Sequence, residues 1–422
     1  MIDRCLRVTR GDATMLYAVS KANYTVRIHL RLDQQIDPIM MRTALDKTSK
    51  RYPYFCVSLK KNEKEYYYEE NHSPVALIHS GQKITLGSGE TNGHIWAVSY
   101  DGDNLFIDFY HGRADGAGIY PLIATLLYYY FSEQYGSMDS TGIRTLEDTI
   151  TEKEIHDPVE DLPVIDLRTI KTPPLPKALN LMETSGLVQT EGAGRILKLM
   201  IPETSFLPFT RVNDASPGIM ICALMARAIE RVHPNHDDPL VNSYVVNARP
   251  MLHAPESFHN CTNRVILHYD DRIRRMQLDR QCTAYRGKTI LQADEDAVRK
   301  KMIVSGSLAQ MILDAPDIGT KMQIASKFVR GVFNSSTFMV SYVGRWKQDQ
   351  IGKHIKEFWT ETPAGSFPML EIAAVNGNIF ISLLQRFEEK LYYKALLEEL
   401  KANSIEYIEC GDCPIRIAEI VM

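Results

Sequence analysis

The sequence predicts an α/β protein, specifically an α+β sandwich in which each of two halves is a mixed sheet packed with helices. Three observations lead to this prediction. The 422 residues exceed the usual length of a single domain. Strand-like alternation and helical periodicity occur in both the first and the last part of the chain. Between them, residues 158–194 contain many prolines and few periodic apolar positions. We therefore expect an N-terminal half at 1–157, an extended crossover at 158–194 and a C-terminal half at 195–422.

The composition excludes several classes of function. Hydrophobic residues make up 45% and charged residues 24%, which is typical of a folded globular chain. The net charge of −4 provides no basic field, so we expect no nucleic-acid partner. The most apolar run, Ile119–Phe131, is shorter than the roughly 20 residues of a membrane-spanning helix, so no transmembrane segment is expected. Seven cysteines at irregular spacing favour a cytoplasmic protein with reduced thiols.

In the N-terminal half, the pattern predicts a strand, a helix and then several strands. Tyr24–Leu32 alternates apolar with mostly basic residues, as a half-buried strand does. Asp37 caps a helix that begins at Pro38 and ends near Arg51, because Pro53 disfavours helical geometry at the residue before it. The later segments are predicted as strands at Tyr54–Leu59, Glu65–Glu70, His94–Tyr100 and Asn104–Tyr110 and a helix at about 118–133.

The C-terminal half shows the same kind of pattern. Ser216 and Pro217 begin a helix that runs to about Arg231. Strands are predicted at Leu240–Asn247, Arg264–Tyr269, Thr337–Val343 and Asn378–Leu384. Helices are predicted at Asp294–Leu313, Asp317–Val329 and Glu388–Lys401.

The strongest local signal is the stretch DFYHGRADG, residues 108–116. An apolar strand runs directly into His111, and a rigid strand end is a suitable place for a general base. Asp115 follows four residues later and can lock the turn through hydrogen bonds. Gly116 is expected to supply unusual backbone angles there. The alternative is a surface turn with an incidental histidine and a helix-capping aspartate.

This motif, after an apolar strand and before an apolar helix, resembles the HxxxD(G) motif of the CoA-dependent acyltransferase superfamily. The superfamily includes chloramphenicol acetyltransferases, plant-type BAHD acyltransferases, alcohol acetyltransferases, polyketide-associated acyltransferases and nonribosomal peptide condensation domains. Three weaker resemblances follow in the expected order: an N-x-R element at Asn247–Arg249, His259-Asn260 where many members have Gly-Asn, and an S-x-x-G element at Ser341–Gly344.

Two departures from the family pattern narrow the resemblance. Tyr110 stands where many condensation domains have a first histidine, which points away from peptide-bond-forming members. The D-F-G-W-G element of plant-type members is absent. The chain therefore resembles the bacterial and fungal alcohol acetyltransferases more than the other branches.

The resemblance implies two chloramphenicol-acetyltransferase-like halves with a central tunnel between them. His111 is then the general base, and no covalent acyl-enzyme forms. Asp115 is implied to be structural, pointing away from the tunnel and bonding Arg249 or Asn247, a choice that the sequence leaves open. Ser341, Tyr342 or a backbone amide near Gly344 is implied as the donor to the oxyanion.

The resemblance also implies the reactants. It implies no bound cofactor, with acyl-CoA as the co-substrate and a small-molecule alcohol or amine as the acceptor. An alternative is a carrier-dependent enzyme whose acyl thioester hangs on the phosphopantetheine arm of an acyl carrier protein. A third possibility is a catalytically inactive relative that only binds a ligand or partner.

Two other clusters resemble metal sites in composition only. His233–Asp238 contains two histidines and two aspartates but lies in a polar stretch after Pro234 ends a helix. Cys410–Cys413 is a single CxxC, which we interpret as a turn because no second pair completes a zinc site. We therefore predict no metal site.

Overall fold

The computed structural model describes residues 6–18, 24–170, 177–190, 192 and 194–421, with the backbone alone at 332–333. Of the prolines in the predicted crossover, Pro173, Pro174 and Pro176 lie outside the described residues. The domain boundaries at 157/158 and 194/195 stay a prediction.

The elements of the first 190 residues are α1 (Arg10–Ala18), β1 (Thr25–Leu32), α2 (Pro38–Arg51), β2 (Val57–Lys61), β3 (Tyr66–Glu70), β4 (Leu77–His79), β5 (Thr85–Leu86), β6 (Trp96–Asp101), β7 (Asn104–Tyr110), α3 (Gly116–Tyr135), α4 (Glu152–Ile155) and α5 (Leu181–Ser185). The middle elements are β8 (Arg195–Pro202), α6 (Glu203–Val212), α7 (Pro217–Val232), β9 (Leu240–Asn247), β10 (Thr262–Tyr269), α8 (Asp271–Arg274), α9 (Leu278–Gln292), α10 (Glu295–Leu313) and α11 (Ile318–Asn334). The last elements are β11 (Phe338–Arg345), α12 (Asp349–Gly352), β12 (Ile355–Glu361), β13 (Met369–Val375), β14 (Asn378–Gln385), α13 (Leu391–Ala402), β15 (Ile408–Pro414) and β16 (Glu419–Ile420).

Two mixed sheets form the framework, which confirms the predicted fold class. A five-stranded sheet has the order β12-β1-β7-β6-β4, and a seven-stranded sheet has the order β10-β9-β11-β13-β14-β8-β15. In the second sheet, β11 runs parallel to both of its neighbours. Strand β12 lies late in the chain but completes the first sheet by pairing with β1. The chain therefore returns to the first sheet after building most of the second.

Each sheet buries an apolar face against helices. Helices α2 and α3 share one core with β1, β6, β7 and β12. Helices α7 and α13 form another core with one face of the seven-stranded sheet. Apolar residues inside both cores account for the separate periodic patterns of the two parts of the sequence.

Some predicted elements have the expected bounds, others begin or end a few residues away, and two predictions give the wrong kind of structure. β7 and β9 have the predicted limits, and α2 begins at Pro38 under the Asp37 cap. The predicted strand Tyr54–Leu59 is wrong in its first part: Pro53–Phe55 is a 3-10 turn, which the proline initiates, and the strand is Val57–Lys61. The CxxC is not a turn, because it lies on the edge strand β15, which bulges between Glu409 and Gly411.

In the part of the chain that the structure describes, no helix combines the length and the apolar character needed to cross a bilayer. The cytoplasmic location expected from the sequence stays a prediction.

Candidate active site

His111 directly follows β7 and is held in one orientation by the backbone. Its amide N–H donates to the Tyr24 carbonyl at 2.7 Å. Its Nδ1 lies 3.0 Å from the carbonyl oxygen of Ala114. A carbonyl only accepts, so Nδ1 carries the hydrogen, and in the neutral ring Nε2 has the lone pair. The ring is half-buried between Tyr24 and Phe109, whose centroids each lie 6.4 Å away. Nε2 is therefore the ring atom able to accept a proton.

Asp115 caps α3 and is almost fully buried, with 2% of its surface exposed. Its Oδ1 accepts from the Gly118 amide at 2.8 Å and from Arg249 Nη2 at 2.6 Å. Its Oδ2 accepts from the Cys261 amide at 3.0 Å and from Arg249 Nη1 at 3.0 Å. Each oxygen thus accepts two hydrogen bonds from the protein, and these bonds fix the position of the carboxylate.

Arg249 answers the choice that the sequence left open, because it and not Asn247 contacts Asp115. Asn247 instead accepts from Arg249 Nη1 at 3.2 Å. Arg249 also donates from Nε to the Ser257 carbonyl at 2.8 Å and from Nη2 to the His259 carbonyl at 2.5 Å. All five guanidinium N–H groups are thus used. The pair ties the start of α3 to the connection between β9 and β10.

Two glycines permit close packing at the start of α3. The expectation that Gly116 supplies unusual backbone angles is wrong, since it is the first helical residue and has no positive φ. Instead, a Cβ on Gly116 would lie 2.7 Å from Val343 Cγ1. A Cβ on Gly118 would lie 1.9 Å from the carbonyl oxygen of Phe258. Gly116 therefore allows α3 to approach the end of β11, and Gly118 allows it to approach the segment that holds Arg249.

The candidate oxyanion donors on β11 lie in different surroundings. Ser341 is half-buried and hydrogen-bonds Glu371 on the neighbouring strand β13. Tyr342 packs against the apolar core of the helix-covered face, where burial raises the pKa of its phenol. Gly344 has a φ of 114° beside an irregularity in the β11 ladder. Of the two side chains, Ser341 is the one outside the helix-covered core.

Glu371 is a candidate that sequence reasoning missed. It lies opposite Ser341 in the strand register and has 5% of its surface exposed. Burial raises its pKa from the ordinary value of 4.5 to about 7, although the hydrogen bond from Ser341 opposes this shift. Its strand reads MLEIAAV, and a single acid within such an apolar run is the signal that could have found it.

Two surface hollows lie near the opposite ends of β11. One includes Ser336, just before the strand, and the other includes Arg345 and Trp346 at its far end. His111 lines neither of them. The central tunnel expected from the resemblance stays a prediction.

The two clusters with metal-like composition have other contacts. His233 Nε2 lies 3.0 Å from Ser185 Oγ and 2.8 Å from Tyr392 Oη. Burial raises the pKa of both Cys410 and Cys413, which makes their thiols poorer ligands. Across residues 6–18, 24–170, 177–190, 192 and 194–421, no three His, Cys, Asp or Glu side chains are grouped to hold a metal ion.

Comparison with known proteins finds similarity in structure only. No family model matches the chain, and no curated protein sequence matches it. A solved structure of TRI101 from F. sporotrichioides, complexed with coenzyme A and T-2, is similar with a TM-score of 0.62 and 12% identity, over 94% of this chain and 98% of that one. Polyketide synthase associated protein 5 from Mycobacterium tuberculosis is similar with a TM-score of 0.60 and 11% identity, over 94% and 98%.

A third similar structure is the condensation domain of the Monacolin K polyketide synthase MokA. Its TM-score is 0.59 at 11% identity, over 94% of this chain and 96% of that one. The chain thus shares, along nearly its whole length, the fold of these proteins and of the TRI3 trichothecene 15-O-acetyltransferase from Fusarium sporotrichioides. This confirms the resemblance at the level of the fold.

Proposed function

We propose that this protein is an acyltransferase that moves an acyl group from a CoA thioester to a hydroxyl or amine of a small molecule, with His111 as general base. The observation that carries the proposal is the geometry of His111. Its Nδ1 hydrogen is held by the Ala114 carbonyl, and its Nε2 is left to accept a proton. A base kept in one tautomer at a strand end is what proton abstraction requires.

The reaction is a direct transfer. His111 Nε2 takes the proton from the acceptor O–H or N–H while the acceptor atom bonds the thioester carbonyl carbon. The tetrahedral oxyanion then collapses, the C–S bond breaks, and the protonated imidazole returns its proton to the departing thiolate. The acceptor bonds the acyl carbon directly as the C–S bond is replaced, so no acyl-enzyme forms.

Supporting roles follow from the contacts around His111. Asp115 and Arg249 hold the turn and the start of α3, and they take no proton. We assign the oxyanion donor to the Ser341 hydroxyl, because Tyr342 packs into the apolar core. A lost oxyanion donor typically costs about 2.7–4 kcal/mol of transition-state stabilisation.

The donor is proposed to be acyl-CoA. TRI101, which shares the fold, has been solved with coenzyme A, and this supports a CoA donor. Because the chain also shares its fold with the MokA condensation domain, a carrier-bound thioester remains the alternative donor. We propose that the hollows near the two ends of β11 are the entrances for donor and acceptor, with the transfer between the sheets.

The test is thiol release from a panel of short to long acyl-CoAs with pooled alcohols and amines. Wild type is compared with His111→Ala and with His72→Ala, a control in which an exposed histidine is removed. We expect acceptor-dependent release from wild type and from the control, and a rate about 10²–10⁴-fold lower from His111→Ala. Equal rates in all three proteins would contradict the proposal.

A further inference from the structure

The face of the seven-stranded sheet that points away from α7 and α13 carries a row of polar residues. The strand register places Ser341 on β11 beside Glu371 on β13. It places Glu371 opposite Ser382 on β14, and Ser382 opposite Lys198 on β8. Neighbouring strands lie about 4.8 Å apart, so these four side chains form a continuous band across the sheet.

Apolar residues flank this band on both sides. Towards one end of the strands, Ala373 and Phe380 belong to the core that includes α3. Towards the other end, Ile196 and Leu384 form a separate apolar cluster. Burying polar groups between apolar clusters costs free energy unless they find partners. Each polar side chain of the band therefore needs a hydrogen-bond partner or a counter-charge.

Lys198 already has its partner. Its Nζ lies 3.0 Å from Glu361 Oε1 and 5.3 Å from the centre of the Trp359 ring. Its charge is therefore balanced within the protein. Lys198 lies on β8, two strands away from Glu371 on β13. Because its ammonium group is paired with Glu361, it does not balance the charge of Glu371.

Glu371 and Ser382 have fewer partners than they can take. Within the described residues, the carboxyl of Glu371 has a hydrogen bond from Ser341 and no cation acts on it. Ser382 is 1% exposed, and its Oγ has no hydrogen-bond partner within the part of the chain that the structure describes. A buried acid and an unsatisfied buried hydroxyl thus face each other on adjacent strands.

The band also lies close to the His111 turn. Ser341 is two residues before Val343, whose methyl group packs against Gly116 at the start of α3. Ser341 is half-buried, whereas Glu371 and Ser382 are buried. A molecule reaching the band from the Ser341 side would therefore pass near the turn that carries His111.

We propose that Glu371 and Ser382 bind a protonated amino group of the acceptor, so that the substrate class is amino alcohols or diamines. The inference rests on the proposed function. An ammonium has three N–H donors, and the two carboxylate oxygens and Ser382 Oγ provide three acceptors. Once Glu371 holds the ammonium, the Ser341 hydroxyl hydrogen is released to turn towards the oxyanion.

The chemical logic is charge compensation. A buried carboxylate is stable when it is paired, and the residues that the structure describes supply cations to Asp115 and Glu361 but none to Glu371. The raised pKa of Glu371 agrees with this, because a nearby cation would lower it. The cation is then supplied by the acceptor, whose second hydroxyl or amine lies at His111.

The test compares linear amino alcohols with simple alcohols of the same chain length as acceptors. Wild type, Glu371→Gln, Ser382→Ala and the exposed control Glu406→Gln are assayed with the best acyl-CoA donor. We expect wild type and Glu406→Gln to prefer the amino alcohol by about ten- to hundredfold in kcat/KM. Glu371→Gln should lose most of this preference through a higher KM, and Ser382→Ala should lose a smaller part.

Two outcomes separate this inference from the proposed function. If wild type acylates simple alcohols as well as amino alcohols and His111→Ala does not, the acyltransferase stands and the amine site is wrong. If no alcohol or amine is acylated, calorimetric titration with the amino alcohol decides. Binding to wild type that is at least tenfold weaker in Glu371→Gln supports the site, and absent or equal binding overturns it. Thermal unfolding shows that each variant is folded.

Discussion

Asp115 and Glu371 are both nearly excluded from solvent, but their surroundings are opposite. Asp115 receives two N–H groups from Arg249 and two from backbone amides. Glu371 accepts a hydrogen bond from Ser341, and burial raises its pKa to about 7. Burial alone therefore does not define the role of a carboxylate. The first is fully used by the fold, and the second keeps its capacity to bind something else.

The largest expected effect on stability comes from breaking the satisfied carboxylate. Arg249→Ala leaves Asp115 as a buried charge without its cation, so the free energy of unfolding should fall by about 3–5 kcal/mol. Chemical denaturation measures this. The control Arg280→Ala removes an arginine whose side chain is 75% exposed, and it should change stability by less than about 0.5 kcal/mol. Equal stabilities of the two variants would show that the pair does not hold α3 in place.

Removing the carboxylate of Glu371 should raise the free energy of unfolding, whereas breaking the Asp115–Arg249 pair should lower it. The pKa of Glu371 is about 4.5 in the unfolded chain and about 7 in the fold. The folded protein therefore loses stability as the pH rises from about 4.5 to about 7, because only the unfolded chain releases this proton easily. Glu371→Gln removes that loss and should therefore stabilise the protein at pH 8 by about 3 kcal/mol. Near pH 4 the two proteins should be similar.

Denaturation of wild type and Glu371→Gln at both pH values tests this prediction. Only the difference between the two proteins is used, because other groups titrate in both. Lys198 and Glu361, the charged neighbours in the band, are unchanged by the substitution. A stability difference that does not vary with pH would contradict the account of Glu371 as an acid without a cation.

A smaller effect is expected where α3 packs against the segment that holds Arg249. Gly118→Ala places a methyl group 1.9 Å from the Phe258 carbonyl oxygen, which the backbone must move to avoid. We expect a loss of about 1–3 kcal/mol. Gly116→Ala meets only a methyl of Val343, at 2.7 Å, and should lose less. Chemical denaturation of both variants measures the two losses of stability. A larger loss in Gly116→Ala than in Gly118→Ala would show that α3 does not pack closely against this segment.

The sequence predicts one of the two carboxylates and misses the other for physical reasons. His111, Asp115 and the strand before them are local in the chain, so alternation and a cap signal are enough to find them. The family resemblance of the N-x-R element implies Asn247 or Arg249 as the best candidates for the partner of Asp115. Only the fold shows which one, because the contact joins residues 134 positions apart.

Glu371 was missed because its strand is buried on both faces. The run MLEIAAV has no alternation of polar and apolar residues, so its pattern does not predict a strand. The pairing of β12 with β1 was missed because nothing local in the sequence encodes a pairing between residues near 30 and 360. What the sequence lacks is therefore the long-range register, which brings Glu371, Ser341 and Ser382 into one row.

The most direct test of the account is the acylated acceptor itself, detected by mass spectrometry in a single turnover. Wild type and His111→Ala, both in excess over the acyl-CoA, are mixed with an amino alcohol. The account predicts the acylated product from wild type, no acyl group on the protein, and formation at least about a hundredfold slower with His111→Ala. An acyl group attached to the wild-type protein, or equal product formation by the two proteins, would contradict it.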